Sequence, residues 1–129
     1  MAAFDAFTFI EPGATPTEAD SLVAVVPRGI ADAKQLLEVL YQRLNLPGYF
    51  GFNWDALSDC LRDFHWVKQR NVVLIHEDLP TLTSTDLVNY VEVLEECVRS
   101  WKPNENHRLV VMFPESCRER IERVADGKA

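Results

Sequence analysis

Cations are scarce in this chain: 13 Lys and Arg stand against 20 Asp and Glu, a formal net charge of −7 over 129 residues. Binding nucleic acid without sequence preference needs Lys and Arg to meet phosphates, so this balance argues against that class. Cysteine is scarce too, and its count is odd. Cys60, Cys97 and Cys117 form no CxxC pair, so neither a disulfide framework nor a zinc site is indicated. Three buried free thiols in a reducing cytosol are expected. No apolar run approaches the roughly 20 residues that cross a bilayer. The opening MAAFDAFTFIEPG lacks a basic start and a long apolar core, so no signal peptide is read there. The expectation is a soluble, cytoplasmic protein with no membrane association. P-loop, GxGxxG and GxSxG motifs are all missing, as are repeats, low-complexity tracts and interdomain linkers.

What is present suits one domain with one core, since 47% of the residues are apolar. FDAFTFI (4–10) alternates weakly, as an edge strand can, and EPGATPTEAD is a loop by its Pro, Gly and Thr content. LVAVV (22–26), NVVLI (71–75) and RLVVMF (108–113) are short apolar runs of the kind found in buried strands. Helical spacing runs from Ala31 to Leu44, where Pro47 and Gly48 end it, and from Trp54 to about Phe64, with Asn53 as N-cap. A third helix runs from a cap at Ser84 or Thr85 to about Trp101, and a short last one from Glu115 to Val124. Three apolar strands separated by helices predict an α/β fold: a small three-stranded parallel sheet covered by helices. The expected organisation is an N-terminal extension (1–20), a core domain (21–114) and a C-terminal helical extension (115–129).

Acidity is concentrated in the middle of the chain. From Asp55 to Glu96 there are nine acids and three bases, which accounts for −6 of the net charge. A focused field of one sign steers partners of the other. Within this segment the helix from Trp54 is amphipathic. With Asp55 at zero and about 100° per residue, Asp59 falls near 40° and Asp63 near 80°. Ala56, Leu57, Cys60, Leu61 and Phe64 fall on the opposite face. Asp55 and Asp59, one turn apart, repel each other, and aspartate is a mediocre helix former. Helix stability alone does not select this pattern, although a charged face is often only a solvated one. Just upstream, Tyr49, Phe50, Phe52 and Trp54 crowd around Gly51. Some of these rings belong to the core, and an exposed one beside carboxylates has the composition of an interface anchor.

The run LPGYFGFNWDALSDCL resembles the signature of the barstar family, small inhibitors of secreted bacterial ribonucleases, over about residues 46–64. The order of elements from 22 to 113 resembles that family's three-stranded parallel sheet with helices. The resemblance implies that the family's loop tyrosine is Tyr49 and that its two inhibitory aspartates are Asp55 and Asp59. The second aspartate would enter the ribonuclease phosphate site and meet its Arg and His. Asp63 and Phe64 fall where the family has a small residue and an aromatic, and Glu96 falls where a later helix adds a rim contact. The chain departs from the pattern at Ser58, which replaces a bulky aromatic often found between the two aspartates. Asp63 adds a charge, and both termini extend beyond the short family prototype.

The resemblance therefore implies an inhibitor, or immunity protein of a toxin–antitoxin pair, that is not an enzyme and needs no cofactor or metal. Its partner would be a basic protein toxin of the ribonuclease class, held by a monomer in a one-to-one complex, with no direct nucleic-acid contact. The expected partner-binding residues are Tyr49, Asp55, Ser58, Asp59, Asp63, Phe64 and Glu96. The alternative is a nonenzymatic regulator of another basic protein, or of a toxin that is not a ribonuclease. An enzyme ranks third, because adjacent turns of one exposed helix do not give Asp55 and Asp59 the different environments that separate an acid from a base. His65, His76 and His107 match no triad or metal spacing and are expected as surface or capping residues.

Overall fold

The computed structural model describes residues 5–11, 13, 14 and 19–127. In chain order these form β1 (Thr8–Ile10), β2 (Ser21–Val26), α1 (Ala33–Arg43), α2 (Trp54–Leu61), β3 (Asn71–His76), α3 (Ser84–Ser100) and β4 (Arg108–Pro114). A 3-10 turn (Glu115–Cys117) leads into α4 (Arg118–Ala125). The fold is α/β with a parallel sheet, as expected, but the sheet has four strands rather than three, in the order β1-β4-β3-β2. The added strand, β1, lies parallel to β4 with Thr8 opposite Met112 and Ile10 opposite Pro114. Phe7 fastens it, buried against the Phe113 ring at 5.4 Å. The guanidinium of Arg118 lies 4.5 Å from the centre of the Phe9 ring.

The strands alternate as β geometry requires. Ala24, Val26, Val72, Leu74, Leu109, Val111 and Phe113 share one core with helix residues such as Leu36, Leu40, Leu57, Leu61, Val91 and Leu94. Ile121 and Val124 of α4 belong to the same core, so both ends of the described chain pack with its centre. Each of the three longer helices before β4 begins at a side-chain cap. The Asp32 carboxylate accepts from the Gln35 N–H at 2.8 Å, Asn53 Oδ1 from the Ala56 N–H at 2.8 Å, and Thr83 Oγ1 from the Asp86 N–H at 3.1 Å. The third helix is thus capped one residue earlier than Ser84.

Two histidines expected at the surface are buried. His76 stacks on Phe113 at 3.8 Å. Its Nδ1 lies 2.9 Å from the Met112 carbonyl and its Nε2 lies 2.7 Å from the Tyr90 hydroxyl. Burial lowers the His76 pKa to about 4, partly opposed by the bond to Met112. The neutral ring therefore donates from Nδ1–H and accepts the Tyr90 O–H at Nε2. His107 bonds through Nδ1 to the Gln69 carbonyl at 2.9 Å and stands edge-on to Phe64 and Trp101. In both cases a polar ring at a strand end or just before a strand finds backbone partners, and its burial is stable for that reason.

Candidate partner-binding surface

The surface around α2 is built by the way the chain enters and leaves that helix. α1 ends in a Schellman arrangement: Leu46 N–H bonds to the Tyr41 carbonyl, Asn45 N–H to the Gln42 carbonyl, and Asn45 takes the left-handed conformation at φ +52°. The helix therefore ends at Arg43, capped by Leu44 and turned off by Asn45, before Pro47 and Gly48 are reached. A turn closed by the Phe50 N–H and the Pro47 carbonyl then sends the chain back toward α2. Asn53 ties this turn to the helix, since its amide also donates to the Gly51 carbonyl at 3.3 Å.

The four rings of this loop divide between core and solvent. Phe50 is buried, and half-buried Trp54 lies 5.8 Å from Tyr90. Tyr49 is 70% exposed and Phe52 is 45% exposed. Gly48 and Gly51 both keep ordinary φ, and it is Phe52 that takes φ +52°. A side chain at Gly48 would meet open space, so the turn itself does not require glycine there. Its bareness instead leaves backbone open to close approach.

α2 buries Leu57, Cys60 and Leu61 and leaves Asp55 and Asp59 exposed, as the 100° spacing predicts. Asp55 lies in the first turn, where the helix dipole favours a carboxylate. The helix forms a ridge between two grooves. One, of about 410 Å³, separates it from α3 and is lined by Asn53, Asp55, Ser58, Glu92 and Glu96. The other, of about 210 Å³, faces the loop and is lined by Tyr49, Gly51, Asp59, Cys60 and Asp63. Six of the seven expected residues therefore surround one helix: Asp55, Ser58 and Glu96 on one side, Tyr49, Asp59 and Asp63 on the other.

Phe64 is the exception and requires a correction. It is fully buried, stacked on Trp101 at 5.6 Å and edge-on to Trp66 at 5.9 Å, so its ring is core and offers a partner no surface. Its backbone is left-handed at φ +53°, and its N–H bonds to the Cys60 carbonyl, which closes the end of α2. The aromatic packing holds that strained conformation in place. Two indoles complete the caps, with Trp101 Nε1–H donating to the Leu61 carbonyl at 2.9 Å and Trp66 Nε1–H to the Leu44 carbonyl at 3.0 Å.

The carboxylates of this surface differ in what they already hold. Glu96 pairs with Arg62 at 3.3 Å, and Asp63 accepts from His65 Nδ1 at 2.8 Å. Glu95 pairs with Arg99. Asp55 and Asp59 accept no hydrogen bond and join no ion pair among the described residues. Two like charges about 6 Å apart on successive turns cost the free helix about 0.2–0.5 kcal/mol. Beneath them, burial raises the Cys60 pKa, and the fields of Asp59 and Asp63 raise it further, so its thiol stays protonated. Cys60, Cys97 and Cys117 are all buried and free, as their spacing led us to expect.

Two features of this surface were not read from the sequence. The Arg62–Glu96 pair bridges residues 34 apart, and local spacing carries no sign of it. The exposure of Phe52 was hidden because all four rings of the loop are equally apolar in composition. A family model described as barstar (barnase inhibitor) matches residues 21–113. No curated protein matches the chain.

Proposed function

The chain belongs to the barstar family, and from that premise we propose that it is the inhibitor, or immunity protein, of a cognate basic ribonuclease toxin. The observation that carries this reading is the pair of exposed, unpartnered carboxylates, Asp55 and Asp59, on one ridge, with exposed Glu92 across the groove and with Glu96 and Asp63 already satisfied internally. A ribonuclease active site holds cations already arranged for phosphate. Carboxylates fixed on a rigid helix meet those cations without reorganising them, and desolvation on docking strengthens each interaction. Asp59 enters the phosphate site, Asp55 binds at its margin, and Tyr49 covers the joint from the loop side. The mechanism is steric and electrostatic plugging, with one inhibitor per enzyme and no chemistry on the inhibitor.

Titration of ribonuclease activity tests this directly. Wild-type chain should reduce the activity of its ribonuclease to zero near equal molar amounts. Asp59→Ala should weaken binding by about 2–5 kcal/mol, a range for truncated interfacial charge pairs that complexes of this family helped to define. Its melting temperature should barely move, because the side chain is solvated in the free protein. Binding that survives this substitution unchanged would remove Asp59 from the interface, and a large loss of folding stability with intact binding would make it a structural residue.

A further inference from the structure

We propose that Phe52 is a hydrophobic anchor of the same interface, entering an apolar recess on the partner beside its cationic site. This rests on the inhibitor reading and adds a contact on the loop side of α2. Val23, Tyr49 and Phe52 are the large hydrophobic residues that the described chain leaves exposed. Phe52 is the one of the three whose backbone opposes the residue present. At φ +52° a bulky side chain is an outlier, whereas glycine or asparagine adopts this conformation readily. The chain uses Asn at the comparable position 45, yet places a phenylalanine here. Phe64 takes the same conformation at φ +53° but is held there by full burial, whereas Phe52 keeps its ring at 45% exposure against local backbone preference, a pattern that concentrates at functional sites.

Its setting identifies the occupant. The Phe52 ring stands 4.8 Å from Phe50 and 5.1 Å from Tyr41, tilted on both, so it is held in place rather than free to rotate away. An aromatic side chain fixed before binding loses little entropy when it docks. Phe52 stands three residues before Asp55 on the loop that leads through the Asn53 cap into α2, and it packs on Phe50, which lines the groove beside Asp59, so we set the ring at the margin of that surface. Complementarity to the two surfaces together asks for cations flanked by an apolar recess.

Three chains test this against barnase, the enzyme named in the family description: wild type, Phe52→Asn and Phe52→Leu. Asn suits the left-handed backbone and removes the ring, so the melting temperature should change by less than about 4 °C. The inhibition constant of Phe52→Asn should nevertheless rise about tenfold or more, mainly through faster dissociation. Phe52→Leu keeps an apolar side chain and should recover most of the affinity. Wild-type inhibition with no loss in Phe52→Asn would overturn the inference and leave the inhibitor reading standing. A lowered melting temperature with intact inhibition would likewise overturn it, making the ring a packing element. Failure of the wild type itself to inhibit barnase would overturn the inhibitor reading for enzymes of that class and would remove this inference with it.

Discussion

A buried imidazole gives the clearest residue-scale prediction. His76 has a pKa of about 4 in the folded protein against 6.5 when free, with burial as the larger cause. Between those values the unfolded chain binds a proton that the folded chain refuses. Stability from this group is therefore complete above about pH 6.5 and is lost as the pH falls toward 4. The full effect is about 3 kcal/mol. Thermal melts of wild type and His76→Gln between pH 4.5 and 7.5 should show a shallower pH slope in the variant. Equal slopes would remove His76 from the account. The outward phase of Asp55 and Asp59 was legible from sequence, because a helical step of about 100° is nearly independent of context. The same phase put Phe64 on the apolar face, and there it agrees with the structure where the family resemblance does not. The burial of His76 and His107 was not legible, since it depends on the Tyr90 hydroxyl and the carbonyls of Met112 and Gln69, all distant in sequence from or unrelated in pattern to the rings they satisfy.

At the scale of elements, the position of α2 depends on its C-terminal cap. The Trp101 indole both stacks on Phe64 and satisfies the Leu61 carbonyl. Trp101→Phe keeps a stacking ring and removes the donor, leaving a carbonyl unmet at a cost of about 1–3 kcal/mol. The melting temperature should fall by about 5–10 °C. Amide exchange at Asp63 and Phe64, whose N–H groups both bond to the Cys60 carbonyl, should accelerate more than exchange in β3. Uniform acceleration across the protein would show that the indole supports global stability rather than this helix end. The three longer strands were legible as continuous apolar runs. β1 was only half legible: its weak alternation marks an edge strand, but its partner β4 lies about 100 residues away and nothing local announces the pairing. The end of α1 was legible to within a residue, Leu44 against Arg43, but its cause was not, because Asn45 stops the helix through its left-handed backbone before Pro47 can.

For the molecule as a whole, the sheet and its core hold α2 and α3 side by side, and this brings the central acidity together in space. Asp55 on α2 and Glu92 and Glu96 on α3 line one groove, Asp59 lines the groove on the other side of α2, and Arg62 is the cation paired to Glu96. An exposed pair of that kind contributes at most about 1 kcal/mol, so a partner's guanidinium can displace Arg62 at little cost. The central claim is that the unpartnered carboxylates occupy the place of an RNA phosphate. Calorimetric titration of the chain into its ribonuclease, alone and then with a nucleoside monophosphate saturating the active site, tests it most directly. Competition at one site predicts that the apparent affinity falls in proportion to nucleotide occupancy, with Asp59→Ala, which already lacks the mimicking group, losing a smaller factor. An affinity indifferent to the nucleotide would place the interface outside the active site and contradict the account.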